Sequence, residues 1–354
     1  MTDPMTGAAT AADVTVVIPT YNRARDLPAT LAAIAAQVPP PRAVTVVDNS
    51  STDDTQAVVE GLAPSLAEKG IALAYRRKDP NGPAAARNLG WREADTAAIA
   101  FVDSDVSLEP GWLSACGAAL AADAGLGAVG GKVVYAHRPD LLNCFGGEIG
   151  PIGLAWDSLE GEPVAAAARA RDVLWANCSA LLVRRDALAA IGGFDEAFFY
   201  GYEDSDLGWR LTLAGWRVRV IPQASVLHRV GREIGKAADA ILFHSGKNRL
   251  RSVLTNWGPL RLTLYGPPAL AYGIADALLR GPRRPKGRAL VWTLTHLPQT
   301  LARRRAVQAT RRVGDGAVAA LMAGRFFPKR RLHGLRRRPA DAGALPVAGA
   351  DDRV

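Results

Sequence analysis

Three apolar, β-branched runs, each stopped by polar residues and each separated from the next by a helical stretch, constrain this chain more than any other feature. Val14-Thr15-Val16-Val17-Ile18-Pro19, Ala43 to Val47 and Ala97 to Val102 read as buried strands. Between them lie helical patterns over Asp26 to Gln37, Thr55 to Ala67 and Ala84 to Ala94, and a short strand over Ile71 to Arg76. In the first helix Leu27, Leu31 and Ile34 share a face, and Asp26 is placed as N-cap. Strands alternating with helices imply a parallel sheet with right-handed crossovers. Ligands of such sheets bind beyond the carboxyl ends of the strands. Tyr21, Asp48 and Asp103 each follow one of those ends, so three polar clusters are expected to converge on one crevice.

The sharpest of these ends is Ile99-Ala100-Phe101-Val102-Asp103-Ser104-Asp105. Aspartate is a poor strand residue, so two carboxylates at a strand tip need a reason. A turn is one account, because Asp and Ser are common there. A divalent cation is the other: carboxylate oxygens suit Mg²⁺ or Mn²⁺, which usually bind one or two carboxylates plus substrate phosphates.

The second half is less regular. Strands are expected over Gly127 to Tyr135, Ala180 to Val183, Val218 to Ile221 and Ser225 to His228. Arg185 to Ile191 reads as a short helix, Gly192 to Glu196 as a tight turn, and Trp156 to Arg169 as a loop with mobility. Tyr202-Glu203-Asp204-Ser205-Asp206 opens a helix with acids in its first turn, where the helix dipole favours them. Glu203, Asp204 and Asp206 are expected to face the crevice, with Glu203 and Asp204 pointing differently. So many carboxylates in one cleft call for cations. Arg87 is a candidate phosphate contact. His228 is either a nitrogen ligand or a hydrogen-bonded histidine at a strand end.

Charge divides the chain. From Arg280 to Arg338 there are 17 Lys or Arg and one acid, Asp315, while the whole chain carries only +9. The basic character therefore belongs to the C-terminal segment. Leu262 to Ala275 and Ala289 to Ala302 are apolar but fall short of the roughly 20 residues a spanning helix needs. With flanking arginines and Trp257, Tyr265, Tyr272 and Trp292, they fit helices lying in an anionic membrane interface. A soluble helical subdomain or a dimer surface fits them as well. The three cysteines have no zinc-like spacing and read as buried thiols in a reducing compartment. Met1 to Ala12 lacks an apolar signal core, so export is not expected.

Five motifs in order carry a resemblance: Val17 to Arg23, Val47 to Asp53, Gly82 to Gly90, Phe101 to Asp105 and Tyr202 to Leu207. Over about residues 13 to 230 the chain resembles the inverting family 2 glycosyltransferases of the GT-A fold. Gly192 to Phe199 and Gly215 to Val218 resemble the rhamnosyltransferase-like members of bacterial surface glycan assembly. The resemblance implies a Rossmann-like, mixed but mainly parallel sheet flanked by helices. With the charge and apolar pattern, the chain divides into a disordered tail over 1–12, a catalytic domain over 13–232 that the resemblance implies, a basic, amphipathic helical region over 233–338 expected to associate with membrane, and a disordered tail over 339–354. The resemblance implies a nucleoside-diphosphate sugar donor, and a glycan, glycolipid or polyprenyl-linked acceptor. Together with the missing signal core and the basic apolar segment, a cytoplasmic enzyme held peripherally at the inner face of the cell membrane is expected, with no nucleic acid partner.

The resemblance assigns roles residue by residue. Pro19 and Tyr21 would line the base pocket, and Asp48 would meet the base or ribose edge. Arg87 would lie near the phosphates, Asp103 at the ribose, and Asp105 and His228 on Mg²⁺ or Mn²⁺. Asp204 would be the catalytic base, with Trp175, Asn177 and Glu203 on the acceptor side. The Gln-x-x-Arg-Trp motif of processive synthases is missing, which argues against a polymerase. Other Rossmann-like nucleotide enzymes usually carry a glycine-rich loop where this chain has Pro19-Thr20-Tyr21. A basic, non-enzymatic binding protein would leave the crevice without a purpose.

Overall fold

Successive residues of a strand point to opposite faces of a sheet, and the first strands here use both. A computed structural model describes residues 12–229 and 238–328. Its first half runs β1 (Ala12–Thr20), α1 (Leu27–Ala35), β2 (Pro41–Asp48), α2 (Thr55–Ala67), β3 (Ala72–Arg77), α3 (Gly82–Glu93) and β4 (Ala98–Val102). Val16, Ile18, Val44, Val46, Ala100 and Val102 pack on one face with Leu31 and Ile34 of α1 and Val59 of α2. Val17, Val47, Ile99 and Phe101 pack on the other with Ala84 and Ala86 of α3. A continuous apolar run buried on both faces is the pattern of a parallel sheet, and β3, β2, β1 and β4 are all parallel neighbours.

The second half adds β5 (Val106–Leu108), α4 (Trp112–Ala122), β6 (Leu126–Tyr135), β7 (Arg138–Cys144), β8 (Gly147–Ile149), β9 (Ala155–Asp157), β10 (Arg171–Val173), β11 (Ala180–Arg184), α5 (Arg185–Ile191), α6 (Glu203–Leu213) and β12 (Arg217–His228). The large sheet has the order β10-β12-β6-β11-β4-β1-β2-β3, with β5 beside β12 and β7 beside β6. β11 inserts antiparallel between β4 and β6, so the sheet is mixed but mainly parallel, as expected. α7 (Ala238–Asn256), α8 (Pro259–Leu279), α9 (Arg283–Thr295), α10 (Leu297–Ala309) and α11 (Asp315–Leu321) form the C-terminal region.

Several expectations need correction. The two strands expected over 218–228 are one strand, β12, whose register shifts between Val220 and Ser225. A Cβ at Gly131 would lie 2.1 Å from the Ala224 carbonyl oxygen, so only glycine lets β6 pass this irregularity. Trp156 to Arg169 is no free loop. It holds most of β9 and a 3-10 turn over Val164–Ala166, and Leu142 N–H donates to the Glu162 carbonyl at 2.8 Å. Asp26 makes no capping hydrogen bond to α1; its Oδ2 accepts from Arg23 at 3.4 Å. Ala12 already lies in β1. The rest of both expected tails, and part of the basic run, fall outside the described residues.

The C-terminal helices share a core with the sheet-flanking part. Trp209 and Leu213 of α6 pack with Leu250, Val253 and Trp257, and the two indoles meet edge to face at 5.0 Å. Buried polar contacts accompany this core. Arg251 on α7 donates to Asp195 at 2.8 Å, and Arg303 on α10 lies 3.5 Å from the same carboxylate. Among the described residues no helix is long and apolar enough to cross a membrane. α8 runs through Pro267 and Pro268, and the second apolar stretch is broken at His296 into α9 and α10.

Removing one member of a buried ion pair strands the other charge, which costs roughly 3–5 kcal/mol. Asp195→Ala is expected to lower unfolding free energy by about that amount in a denaturant titration. A loss below about 1 kcal/mol would show that Arg251 and Arg303 reach water.

Candidate active site

β4 ends at Val102, and the chain turns there because β11 takes over: Asp103 N–H donates to the Ser179 carbonyl at 2.9 Å. This places Asp103 and Asp105 at the carboxyl edge of the sheet. β12 reaches the same edge from the other side, with His228 opposite Val106 of β5 and Tyr135 of β6. One ligand atom each from Asp103, Asp105 and His228 falls within 4.8 Å of the others. Two carboxylates and an imidazole are a donor set that suits a divalent cation such as Mn²⁺. Asp103, expected at the ribose, thus stands in the same group as Asp105.

His228 Nε2 lies 3.4 Å from Asp105 Oδ1, and Arg23 stands 3.6 Å from Oδ2. Burial alone would raise the Asp105 carboxyl, but its bond and charge with His228, and Arg23 beyond, hold it below the ordinary range. At His228 burial favours the neutral ring, yet Asp105 first, then Asp103 and Asp157, lift its pKa above the usual value. Its other nitrogen, Nδ1, sits 3.3 Å from Asn143 Oδ1. With Nδ1 donating to that oxygen, Nε2 of a neutral ring would be the nitrogen available to a cation.

α3 delivers Arg87. Its N-terminal Gly82 has φ of +81°, and a Cβ there would fall 2.3 Å from the Phe199 carbonyl oxygen. Arg87, only 3% exposed, donates to Asp103 at 2.8 Å and to Glu203 at 3.2 Å. Its guanidinium lies 5.7 Å from the centre of the Phe194 ring. Burial would ease its proton off, but Asp103 and Glu203 hold the charge firmly in place. Glu203, placed on the acceptor side by sequence, is thus the second carboxylate of an Arg87 bridge.

Asp204 is the next residue on α6 and accepts from Ser205 N–H at 2.7 Å. Burial, followed by the charges of Glu203 and Asp157, raises its pKa well above the usual carboxylate value. Glu203 is raised too, chiefly by burial, with Arg87 pulling the other way. Asp206, expected to face the crevice, points away from it. It pairs with buried Arg210 at 2.6 Å and accepts from Asn256 of α7 at 2.9 Å.

The residues expected on the donor side sit at the ends of β1 and β2. Tyr21 is partly exposed and Pro19 buried in β1. Asp48 is fully enclosed: Oδ1 accepts from Ser51 N–H at 2.9 Å and Ser51 Oγ at 2.6 Å, and Oδ2 takes the Tyr75 hydroxyl. Burial and that carboxylate push the Tyr75 phenol up to about 12. Trp175 is also enclosed, its ring lying where a Cβ on Gly147 would stand. Asn177 Oδ1 accepts from Ser179 N–H at 2.8 Å, bracing the turn into β11.

Asp157 escaped the sequence reading. Burial, then Glu160, pushes its carboxyl up to about 7, and its Oδ1 is buried without a hydrogen-bond partner. Its charge reaches both Asp204 and His228. No local pattern marks it, because it stands in a three-residue strand inside a polar stretch.

The model of the family described as glycosyl transferase family 2 matches residues 15–141. The chain is 33% identical over 299 residues to an N-acetylglucosaminyl-diphospho-decaprenol L-rhamnosyltransferase of Mycobacterium tuberculosis, covering 77% of this chain and 95% of that one. A pre-mycofactocin glycosyltransferase of the same organism is 33% identical over 219 residues, 61% of this chain and 42% of its own. Among solved structures, GalNAc-T7 with UDP, GalNAc and Mn²⁺ is similar at a TM-score of 0.57 and 14% identity, covering 82% of this chain and 57% of that one. A mannosyltransferase of Pyrobaculum calidifontis in complex with GDP-Man and Mn²⁺ is similar at 0.50 and 19% identity, covering 86% and 87%. These likenesses bear out the GT-A fold.

Contacts that orient a metal-binding histidine typically change affinity 10- to 100-fold when removed. Asn143→Ala is therefore expected to weaken Mn²⁺ binding by at least about tenfold in calorimetry. Unchanged affinity would rule out Asn143 as the residue that sets the His228 ring.

Proposed function

The chain belongs to glycosyl transferase family 2, and from that membership we propose that it moves a hexosyl or deoxyhexosyl group from a nucleoside-diphosphate sugar to a polyprenyl-linked glycan, with inversion. It is a nucleotide-sugar-dependent glycosyltransferase. A relative that aligns with 77% of it is named for L-rhamnosyl transfer to N-acetylglucosaminyl-diphospho-decaprenol. A nucleoside-diphosphate L-rhamnose and an acceptor of that class are the first pair to test.

The observation that carries the reading is Asp204, a carboxylate of raised pKa one residue from the Arg87 bridge. In this reading Tyr21 stacks on the base above Pro19, and Asp48 fixes the Ser51 turn and Tyr75 beneath it. Arg87 holds Asp103 and Glu203 apart at a set spacing. Asp204 takes the proton of the acceptor hydroxyl while that oxygen attacks the anomeric carbon. The diphosphate leaves from the opposite face, so the configuration inverts, and a positioned carboxylate base of this kind is worth about 10²–10⁴ in rate. Mg²⁺ or Mn²⁺ held by Asp105 and His228, beside Asp103, would neutralise charge on the departing diphosphate.

The acceptor's lipid gives the C-terminal helices a purpose. Leu260, Leu264, Ile274 and Leu278 recur along α8 at helical spacing and are all exposed, Leu260 at 81%. Arginines 261, 280, 283 and 284 flank them. An exposed apolar stripe rimmed by cations fits a helix lying on an anionic bilayer, which would place the enzyme at the inner face of the membrane.

Asp204→Asn keeps the shape of the side chain and removes the base. Transfer is expected to fall about 10²–10⁴-fold, and near wild-type turnover would end the assignment. A base works only when deprotonated, so kcat/KM should fall as pH drops through its pKa, on a limb above the ordinary carboxylate value of about 4. Glu203→Gln removes a like charge and should move that limb to lower pH. For the membrane, the protein is expected to co-sediment with vesicles containing phosphatidylglycerol at low salt. Leu264→Glu with Leu278→Glu should abolish this, and DNA binding without vesicle binding would overturn the surface assignment.

A further inference from the structure

A cavity of about 140 Å³ lies where the C-terminal helices meet the start of α6. Leu242 of α7, Leu290 of α9 and Leu154 supply apolar wall, and Tyr202 lines the cavity as well. Apolar cavities of about 150 Å³ hold a molecule the size of benzene, so this one accommodates a five-carbon branched unit. Its wall is not wholly apolar. Arg249 reaches it with a buried side chain that donates to the Ile152 carbonyl at 2.8 Å and the Ala269 carbonyl at 3.0 Å. No carboxylate pairs with Arg249 among the described residues, since neighbouring Asp276 is held by Lys286 at 2.8 Å. Two cations and one acid leave the wall with a net positive charge beside an apolar space. That combination suits an amphiphile that joins hydrocarbon to an anion.

The cavity is coupled to the chemistry through Tyr202. This residue has φ of +72°, a conformation rare for a bulky side chain. Its carbonyl accepts Asp206 N–H at 2.8 Å and Ser205 Oγ at 3.1 Å, so it sets the first turn of α6. Tyr202 lines the cavity and stands two residues before Asp204. On the outer side the cavity borders the exposed face of α8, where Gly273 lines it and Ile274, the next residue, is exposed.

We propose that this cavity binds the diphosphate-proximal isoprene of a polyprenyl diphosphate, with Arg249, which no carboxylate neutralises among the described residues, nearest the diphosphate and Tyr202 seating the lipid end of the acceptor against the helix that carries Asp204. The proposal deepens the acceptor reading above and takes the class of lipid from it. It places the lipid entrance at the α8–α9 edge, so the acceptor reaches Asp204 from the membrane side.

The test uses the full chain in EDTA, which keeps divalent ions off Asp105 and His228, titrated with geranyl diphosphate and separately with inorganic diphosphate. Geranyl diphosphate is expected to bind at least tenfold tighter than inorganic diphosphate. Ser245→Phe, which fills the cavity from α7, should weaken geranyl diphosphate at least tenfold with thermal stability and donor affinity unchanged. Leu242→Trp serves as a second filling variant where the first lowers stability. No preference for the prenyl ligand, or equal affinity in the filled and wild-type proteins, overturns the proposal. The expected binding pattern supports the cavity even if transfer to a polyprenyl acceptor fails, which would count against the acceptor reading alone. Transfer without that pattern retains the acceptor and overturns the cavity.

Discussion

A single buried guanidinium holds the two halves of the site in register. Arg87 comes from a helix in the first, parallel part of the sheet. It ties the strand-tip carboxylate of Asp103 to the helix-start carboxylate of Glu203, which lies 116 residues after Arg87. Burying such a charge is costly unless carboxylates meet it with good geometry, and both of these do. Two acids that would repel are thereby fixed a set distance apart. The neighbour of one of them, Asp204, is left in poorly solvated surroundings, and its raised pKa follows from that position. The ion bridge and the perturbed Asp204 carboxylate are two results of one packing decision.

The C-terminal helices are part of the same arrangement. α6 is buried almost throughout, and one side of it is covered by α7. Asp206 bonds Arg210 within α6 and Asn256 across to α7, while Asp195 bonds Arg251 and lies near Arg303. These contacts carry charge through a region that would otherwise be apolar, so they specify one orientation of α7 against α6. The helix that presents Asp204 is held from both sides, by the sheet and by the basic region.

Much of the first half was legible because each element obeys one period. The second helix has the expected bounds, Thr55–Ala67, and so has Arg185–Ile191. The strand ends at Asp48 and Asp103 follow from apolar runs that simply stop. The second half was less legible for identifiable reasons. α7 buries Lys247, Arg249 and Arg251, so its apolar stripe is interrupted by charges that each need a partner far along the chain. β5, β8, β9 and β10 are three residues each, too short for any alternation to show. The enclosure of Asp48 depends on Tyr75, 27 residues away. Asn143 and Asp157 acquire significance only through the position of His228. The role of a polar residue was readable where the strand it terminates was readable, and hidden where its partner came from another part of the chain.

The paired prolines of α8 have a consequence for depth. Pro267 and Pro268 have no N–H to offer the carbonyls of Thr263 and Leu264, one helical turn earlier. In water those oxygens find donors at little cost. In hydrocarbon each would cost several kcal/mol, because nothing there can hydrogen-bond to it. The helix can rest its leucines among acyl chains only while this turn still touches hydrated headgroups. On the proposed membrane surface the prolines would act as a float line, setting how far the helix could sink and at what height the cleft would stand above the lipid.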